Sequence, residues 1–172
     1  MRAEARRAVT PALRWRTMTV SDLDHVMVVE AGAYSFPWTR GNFIDSLAAG
    51  YVAELLEDGA SADLVGYFVA MPGVDELHLL NLTVAPRHQG CGHARSLLGA
   101  VESAARQRGL GTLWLEVRVS NERALHLYER HGFHRAGLRR SYYPAAGGRR
   151  EDAVVMTLPL RPSGEEADDA LG

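Results

Sequence analysis

An apolar strand, a glycine-rich loop and an amphipathic helix follow one another in the middle of the chain, and this order constrains the fold most. Residues 77–84 are predicted to form the strand, which Pro86 ends. The helix runs from about residue 92 to 108, and Gly109 is typical of a C-terminal stop. The nearly all-apolar segment 112–117 is typical of a strand buried on both faces. The pattern predicts an α/β fold.

The remaining elements extend this pattern to both sides. Ser21 and Thr39 are predicted to cap two helices in the first half of the chain, and Asn121 to cap one in the second half. Periodicity indicates strands at residues 13–19, 51–56, 64–71, 77–84, 112–117, 133–143 and 153–160. The first half is predicted to be an antiparallel meander, and the whole a sandwich of helices and a mixed sheet.

The composition excludes several kinds of site. All 19 residues counted as Lys and Arg are Arg, so the chain has neither a phosphate-loop lysine nor a Schiff-base lysine. A single Cys excludes an intramolecular disulfide and a thiolate zinc cluster, and we expect no metal site. A net charge of -2 argues against a dedicated DNA-binding protein.

One domain is expected from the length of 172 residues. We expect it to span residues 13–160, between an Arg-rich N-terminal extension at 1–12 and an acidic, disordered tail at 161–172. No apolar run approaches the roughly 20 residues that cross a bilayer, and the N-terminus lacks a secretory signal core. We therefore expect a cytoplasmic protein that does not contact membranes.

The loop Gln89-Gly90-Cys91-Gly92-His93-Ala94 is the strongest local motif. Small residues at the start of a helix let backbone N–H groups converge on an anion, and the helix dipole adds to the attraction. The loop lacks the lysine of nucleoside-triphosphate loops and the three-glycine spacing of dinucleotide loops. Taken alone, it fits either a phosphate site without hydrolysis or hydride transfer, or an ordinary glycine-rich turn.

Glu116 stands inside the apolar strand Leu113-Trp114-Leu115-Glu116-Val117-Arg118. A carboxylate is costly to bury unless it is paired, neutral or functional. Loss of solvation favours the protonated form, which would make this group a usable base near neutral pH. The alternative is a salt bridge to Arg118 on the same strand face.

Tyr128 lies seven residues after the helix cap Asn121, two turns along the same helix face. A phenol, with an ordinary pKa near 10, can donate a proton to a departing thiolate with a pKa of about 8.5. A core aromatic with a satisfied hydroxyl explains Tyr128 equally well when it is taken alone.

Together these motifs and several further segments resemble one family. The order of strand, Gln89-x-x-Gly92-x-Ala94, helix, Glu116-bearing strand, Asn121 and Tyr128 is similar to the GCN5-related N-acetyltransferase (GNAT) superfamily. Further segments resemble its ribosomal-protein alanine N-acetyltransferase branch: Phe36-Pro37-Trp38-Thr39, residues 113–118, Ser120-Asn121, Tyr142-Tyr143-Pro144 and Arg150-Glu151-Asp152-Ala153. The resemblance covers roughly residues 13–160.

The resemblance implies a fold and a co-substrate. The fold would be a mixed central sheet of about seven strands with flanking helices, splayed between the fourth and fifth strands. The co-substrate would be acetyl-CoA, with its pantetheine arm paired to the backbone of Leu82, Thr83 and Val84 and its end hydrogen-bonded by Asn121. The pyrophosphate would bind the N–H groups of Gly90, Cys91, Gly92, His93, Ala94 and Arg95, and Gln89 would belong to the same co-substrate site.

The resemblance also implies a reaction. Glu116 would be the general base, acting through water on the acceptor amine, and Tyr128 the general acid for the thiolate. Transfer would be direct, with no covalent enzyme intermediate. The acceptor would be the N-terminal alanine of a ribosomal protein, small-subunit protein eighteen. The slot for it would be shaped by Phe36, Trp38, Tyr142 and Tyr143.

Two positions depart from the family pattern. His93 stands where the family usually has an apolar residue, so the packing of the loop differs there. Arg149 and Arg150 lengthen the loop after Tyr143, which affects the contacts to the peptide.

Three other functions are compatible with parts of the sequence. Cys91 at a helix N-terminus suggests an acyl-accepting thiol, although no adjacent His–acid pair is visible. A non-catalytic module would sense acyl-CoA, or bind RNA through Arg139, Arg140, Arg149 and Arg150; neither role requires both Glu116 and Tyr128. An acetyltransferase for a lysine or small amine would share the co-substrate site and differ in the slot.

Overall fold

The computed structural model describes residues 12–160. The predicted extension, apart from Ala12, and the predicted tail therefore lie outside the described residues. Within this range seven strands form one sheet in the order β1-β2-β3-β4-β5-β7-β6. The strands are β1 Leu13–Thr17, β2 Val52–Asp58, β3 Leu64–Pro72, β4 Glu76–Val84, β5 Thr112–Arg118, β6 His134–Pro144 and β7 Arg150–Pro159. The predicted mixed sheet is confirmed.

Four α-helices cover the sheet within the described part of the chain: α1 Leu23–Ala33, α2 Arg40–Ala48, α3 His93–Gln107 and α4 Glu122–His131. Thr39 caps α2 as predicted, because its side chain accepts a hydrogen bond from the Asn42 N–H. The predicted Ser21 cap is wrong. Ser21 lies inside the short 3-10 helix Val20–Asp22, whose N-cap is Thr19.

The sheet separates where its parallel pair ends. β4 and β5 are paired in parallel from Glu76 with Thr112 to Leu79 with Leu115. Beyond these four pairs, β4 continues along β3 and β5 continues along β7, but the two strands no longer pair with each other. The predicted splay between the fourth and fifth strands is confirmed, and it leaves backbone N–H and C=O groups facing the gap.

Apolar side chains fill both sides of the sheet. On one side α3 buries the face predicted for it, which comprises Leu97, Leu98, Val101, Ala104 and Ala105. On the other side α1 and α2 cover a second cluster built around Val26, Phe43 and Tyr67. The strand ends at the gap are therefore fixed by cores on both sides. None of the helices within residues 12–160 is long and apolar enough to cross a membrane.

Candidate active site

A cleft of about 710 Å³ opens where β4 and β5 separate. Its walls are the end of β4, the loop before α3, the end of β5, the face of α4 and the segment between α1 and α2. Most of the residues predicted for the site line it: Phe36, Trp38, Leu82, Val84, Gln89, Gly90, Gly92, His93, Ala94, Arg95, Glu116, Asn121, Tyr128 and Tyr143. The predicted residues Thr83, Cys91 and Tyr142 do not line it.

The glycine loop places the N-terminus of α3 at the cleft. Gly92 is the N-cap with φ +82, and Gly90 has φ +78, so both adopt the left-handed conformation that favours glycine. The first N–H groups of a helix have no acceptor inside the helix, which makes this end an anion site. Arg95, on the first turn of α3, lines the cleft and adds positive charge to this end, and Arg123, on α4, lines the cleft as well. Arg123 was not predicted from the sequence.

The wall formed by β4 differs in detail from the expectation. The Thr83 side chain is buried, and its hydroxyl hydrogen-bonds Asn81 Oδ1 at 2.7 Å. Thr83 therefore offers only its backbone to a ligand. The Leu82 carbonyl accepts a hydrogen bond from the Tyr34 hydroxyl at 2.9 Å, and the Val84 carbonyl accepts one from the Gln89 amide at 3.3 Å.

Glu30 holds together the floor of the cleft, and the sequence analysis missed it. Its buried carboxylate accepts hydrogen bonds from the Trp38 N–H at 2.9 Å, from the Asn81 amide at 3.3 Å and from the Tyr67 hydroxyl. A signal was present, since Glu30 lies four residues after Val26 and so on the same face of α1. This network positions the segment that carries Trp38.

Glu116 is almost fully enclosed, with 5% of its side chain exposed. Its Oε2 atom lies 2.5 Å from Nε2 of His78. Its Oε1 atom lies 3.4 Å from Nε of Arg139 but has no hydrogen bond within residues 12–160. The alternative pairing with Arg118 is wrong, because that guanidinium contacts Glu151 at 2.8 Å instead. The cleft is therefore lined by a buried carboxylate with one oxygen atom that has no hydrogen bond and lies next to a guanidinium.

Tyr128 lines the cleft from α4, and its ring packs edge-on against Phe133 with 5.7 Å between centroids. Burial, together with the neighbouring hydroxyls of Tyr34 and Tyr143, raises the pKa of Tyr128 above its ordinary value. The phenol therefore keeps its proton at neutral pH. Within residues 12–160 the hydroxyl has no hydrogen-bond partner, so it is available to a ligand.

Asn121 caps α4 as predicted. Its Oδ1 atom accepts a hydrogen bond from the Ala124 N–H at 3.1 Å. The side-chain NH₂ group remains as the donor that it can offer to the cleft.

A guanidinium joins the two aromatic walls of the cleft. The Arg118 Cζ atom lies 5.2 Å from the Phe36 ring centroid and 4.5 Å from that of Tyr143. Arg118 also donates a hydrogen bond to the Pro144 carbonyl at 2.7 Å, and the Tyr143 hydroxyl donates one to the Glu116 carbonyl at 3.0 Å. Arg118 therefore belongs to the cleft as a support for its walls, which sequence reasoning did not indicate.

Tyr142 lies behind this wall instead of lining it. Its ring meets Tyr143 edge-on with 4.9 Å between centroids, and the Arg139 guanidinium lies 5.4 Å from its centroid. Of the arginine cluster considered for RNA, Arg139 approaches Glu116 and Arg150 donates to the Ser141 and Tyr142 carbonyls. These two arginines therefore have contacts within the fold.

Cys91 is exposed and contacts the Gln89 carbonyl at 3.8 Å. It lies outside the lining of the cleft. Within the described residues, no group of three or more His, Cys, Asp or Glu side chains could hold a metal ion.

Comparison with known families agrees with this architecture. The model of the GNAT acetyltransferase family matches residues 18–133. The chain belongs to the GNAT family, and the prediction of an acetyltransferase enzyme is confirmed.

Within the family, the chain is similar to proteins with one activity. It is 37% identical over 145 residues to the [ribosomal protein bS18]-alanine N-acetyltransferase of Escherichia coli K12. The alignment covers 84% of this chain and 95% of that protein. The enzyme of the same name from Haemophilus ducreyi is 35% identical over 144 residues, covering 84% of this chain and 98% of the relative.

Solved structures show that the same fold occurs in related proteins. The crystal structure of the Escherichia coli ribosomal-protein-S18-alanine N-acetyltransferase superposes with a TM-score of 0.80 at 35% identity, covering 91% of this chain and 99% of that one. Ard1 from Thermoplasma volcanium, at 20% identity and a TM-score of 0.75, covers 87% of this chain and 99% of its own and shares the fold.

Proposed function

We propose that the protein is an N-terminal protein acetyltransferase, which transfers acetyl from acetyl-CoA to the α-amine of an N-terminal alanine. One observation carries the proposal: Glu116, with a carboxylate oxygen that has no hydrogen bond, Tyr128, with an unpaired hydroxyl, and the N-terminus of α3 line the same cleft. An amine, a thioester and a diphosphate need these three kinds of group.

The cleft fits acetyl-CoA, which supplies the acetyl group as a thioester when bound. The start of α3 offers backbone donors and the Arg95 side chain to phosphate oxygens. Gly90 and Gly92 keep this surface free of Cβ atoms, and an added Cβ at either position would meet nothing within 4 Å. The end of β4, between Leu82 and Val84, is not paired with β5 and offers backbone groups on that side to an extended amide chain.

Glu116 and Tyr128 move protons in this proposal. Glu116 takes a proton from the acceptor nitrogen, directly or through water, as the nitrogen attacks the acetyl carbonyl. Tyr128 gives its phenolic proton to the departing sulfur. Its raised pKa does not forbid this step, because the same burial also disfavours a thiolate.

The kind of acceptor amine is inferred from how easily each amine loses its proton. An α-amine has a pKa of about 8 and a lysine about 10.4, so at pH 7.5 about a quarter of the first is unprotonated but only about a thousandth of the second. The walls carrying Phe36, Trp38 and Tyr143 suit a chain end with a short first side chain. The bS18-alanine N-acetyltransferases at 35–37% identity support alanine, and small-subunit ribosomal protein eighteen, as the target. We place the reaction in the cytoplasm.

Two peptides that share one sequence test which amine is the acceptor. The first has a free N-terminal Ala and an internal Lys, and the second is blocked at its N-terminus. We expect mass spectrometry to locate acetyl on the α-amine of the first peptide and to find the second unmodified. Equal modification of Lys in both peptides would contradict the proposal and favour a lysine or small-amine acceptor.

Tyr128→Phe tests the proton donor. Because a thiolate with a pKa of about 8.5 is already a fair leaving group, we expect a loss in kcat of about 10²-fold, at the lower end for general acids. The affinity for acetyl-CoA, measured by calorimetry, should not change. Tyr51→Phe is the control, since Tyr51 packs in the core on the other side of the sheet. An unchanged kcat in Tyr128→Phe would remove Tyr128 from the mechanism.

A small-amine acceptor is the second candidate. The crystal structure of nourseothricin acetyltransferase superposes with a TM-score of 0.71 at 26% identity, covering 87% of this chain and 99% of that one. Turnover of small amines with no turnover of the free-Ala peptide would favour this candidate. A non-catalytic acyl-CoA sensor would bind acetyl-CoA and acetylate neither kind of acceptor.

A further inference from the structure

His78 is a buried imidazole against the carboxylate of the proposed base. The side chain of His78 is 9% exposed and that of Glu116 is 5% exposed. The Nε2 and Oε2 atoms lie 2.5 Å apart, across the point where β4 and β5 stop pairing. The imidazole is fixed from its other side by Trp114, whose ring stacks on it with 3.5 Å between centroids and 10° between planes.

The protonation of the pair follows from its partners. An ionised carboxylate only accepts hydrogen bonds, so the proton between the two atoms belongs to Nε2 of His78. The other ring nitrogen, Nδ1, is buried and has no partner within residues 12–160. A proton on Nδ1 would be left without an acceptor, and the geometry therefore favours the tautomer with its proton on Nε2.

The consequence concerns the other oxygen of Glu116. With Oε2 held by His78, the carboxylate cannot rotate freely, and Oε1 is kept as the atom without a hydrogen bond. Arg139 approaches Oε1 at 3.4 Å, but its side chain is 48% exposed, so solvent weakens this contact. Burial, and after it the nearby carboxylate of Glu116, raises the pKa of the phenol of Tyr142, which lies on the same strand as Arg139.

We propose that His78 is a positioning residue for the base: its Nε2–H holds Oε2 of Glu116, so that Oε1 is left as the atom that takes the proton. The inference rests on the function proposed above. It adds a residue on β4, in the half of the sheet opposite the base, that acts on the reaction through Glu116 alone.

Three substitutions of His78 separate this role from packing. The amide nitrogen of Gln reaches about as far as Nε2 and can donate to Oε2, while Asn has the same chemistry but is one methylene shorter. Leu fills the space without a donor. We expect His78→Gln to keep most of the kcat, and His78→Asn and His78→Leu to lose about 10- to 100-fold, the cost of a misplaced catalytic group. The KM for acetyl-CoA should be unchanged in all three.

A purely structural role predicts a different order. If His78 mattered only through its stacking on Trp114, Gln and Asn would behave alike and Leu would be tolerated best. His131→Gln is the matched control, because His131 pairs with Glu102 at 2.8 Å outside the cleft, and its kcat should equal that of the wild type. If His78→Leu does not fold, the comparison of Gln with Asn still decides.

The double variant with Glu116→Gln completes the test. If His78 acts through Glu116, His78→Asn should cost nothing further in the Glu116→Gln background. An equal loss in both backgrounds, or a wild-type kcat for His78→Asn, would overturn the inference. A wild-type kcat for Glu116→Gln alone would instead overturn the proposed base, so the two failures are distinguishable.

Discussion

Replacing Glu116 with Gln is expected to lower kcat by about 10²- to 10⁴-fold, the usual contribution of a positioned general base. Gln has the same shape but cannot take a proton from the acceptor nitrogen. The affinity for acetyl-CoA should stay the same, because the carboxylate lies in the half of the sheet opposite Leu82 and the end of β4. Steady-state kinetics with the free-Ala peptide and calorimetry with acetyl-CoA measure the two quantities separately.

The dependence of the rate on pH gives a second measurement. A base must be ionised to act, so the wild-type rate should fall at acidic pH and this limb should flatten in Glu116→Gln. Glu102→Gln is the control, since Glu102 also pairs with a histidine but lies outside the cleft. An acidic limb of the same shape in wild type and Glu116→Gln would assign the titration to the amine instead.

Gly92→Glu is expected to abolish the binding of acetyl-CoA in a protein that still folds. Gly92 caps α3, and a glutamate there would bring a side chain and a negative charge to the surface proposed for the diphosphate. Its φ of +82 also strains a residue with a Cβ, at a cost of about 1–2 kcal/mol. Calorimetry measures the binding, and thermal unfolding measures the stability.

Gly109→Glu separates these two effects. Gly109 follows α3 at its other end, has φ +67, and has nothing within 4 Å of an added Cβ. A glutamate at this position therefore introduces the same backbone strain but does not lie at the cleft. We expect both variants to lose similar stability and only Gly92→Glu to lose binding; equal affinity in the two would remove the glycine loop from the co-substrate site.

The parts of the site with a local sequence signal could be predicted. Gly92 follows a strand and opens a helix, Asn121 begins a helix, and Glu116 interrupts an apolar strand. In the structure these three residues line one cleft. The sheet could be predicted in the same way, since each strand has its own apolar run and turn residues.

The partners of these residues could not be predicted. His78 lies 38 positions from Glu116 in the chain, and only the parallel pairing of β4 with β5 brings the two together. Arg118 was expected to pair with Glu116 on the same strand. Its guanidinium instead reaches Glu151 and the Pro144 carbonyl, on strands that follow much later in the chain. Such pairings depend on tertiary structure, which periodicity does not encode.

The short parallel joint between β4 and β5 determines how the two halves of the sheet are oriented relative to each other. Within residues 12–160 it is four residue pairs long, while the end of β4 that no longer pairs with β5, residues 80–84, extends about 17 Å at roughly 3.3 Å per residue. A rotation of about 3° between the two halves of the sheet would move the tip of that end by about 1 Å, a displacement that costs an enzyme about 10²-fold in rate. Leu79 and Leu115 are buried at the last of these four pairs, so their packing helps to hold the two halves of the sheet in the arrangement that the cleft requires.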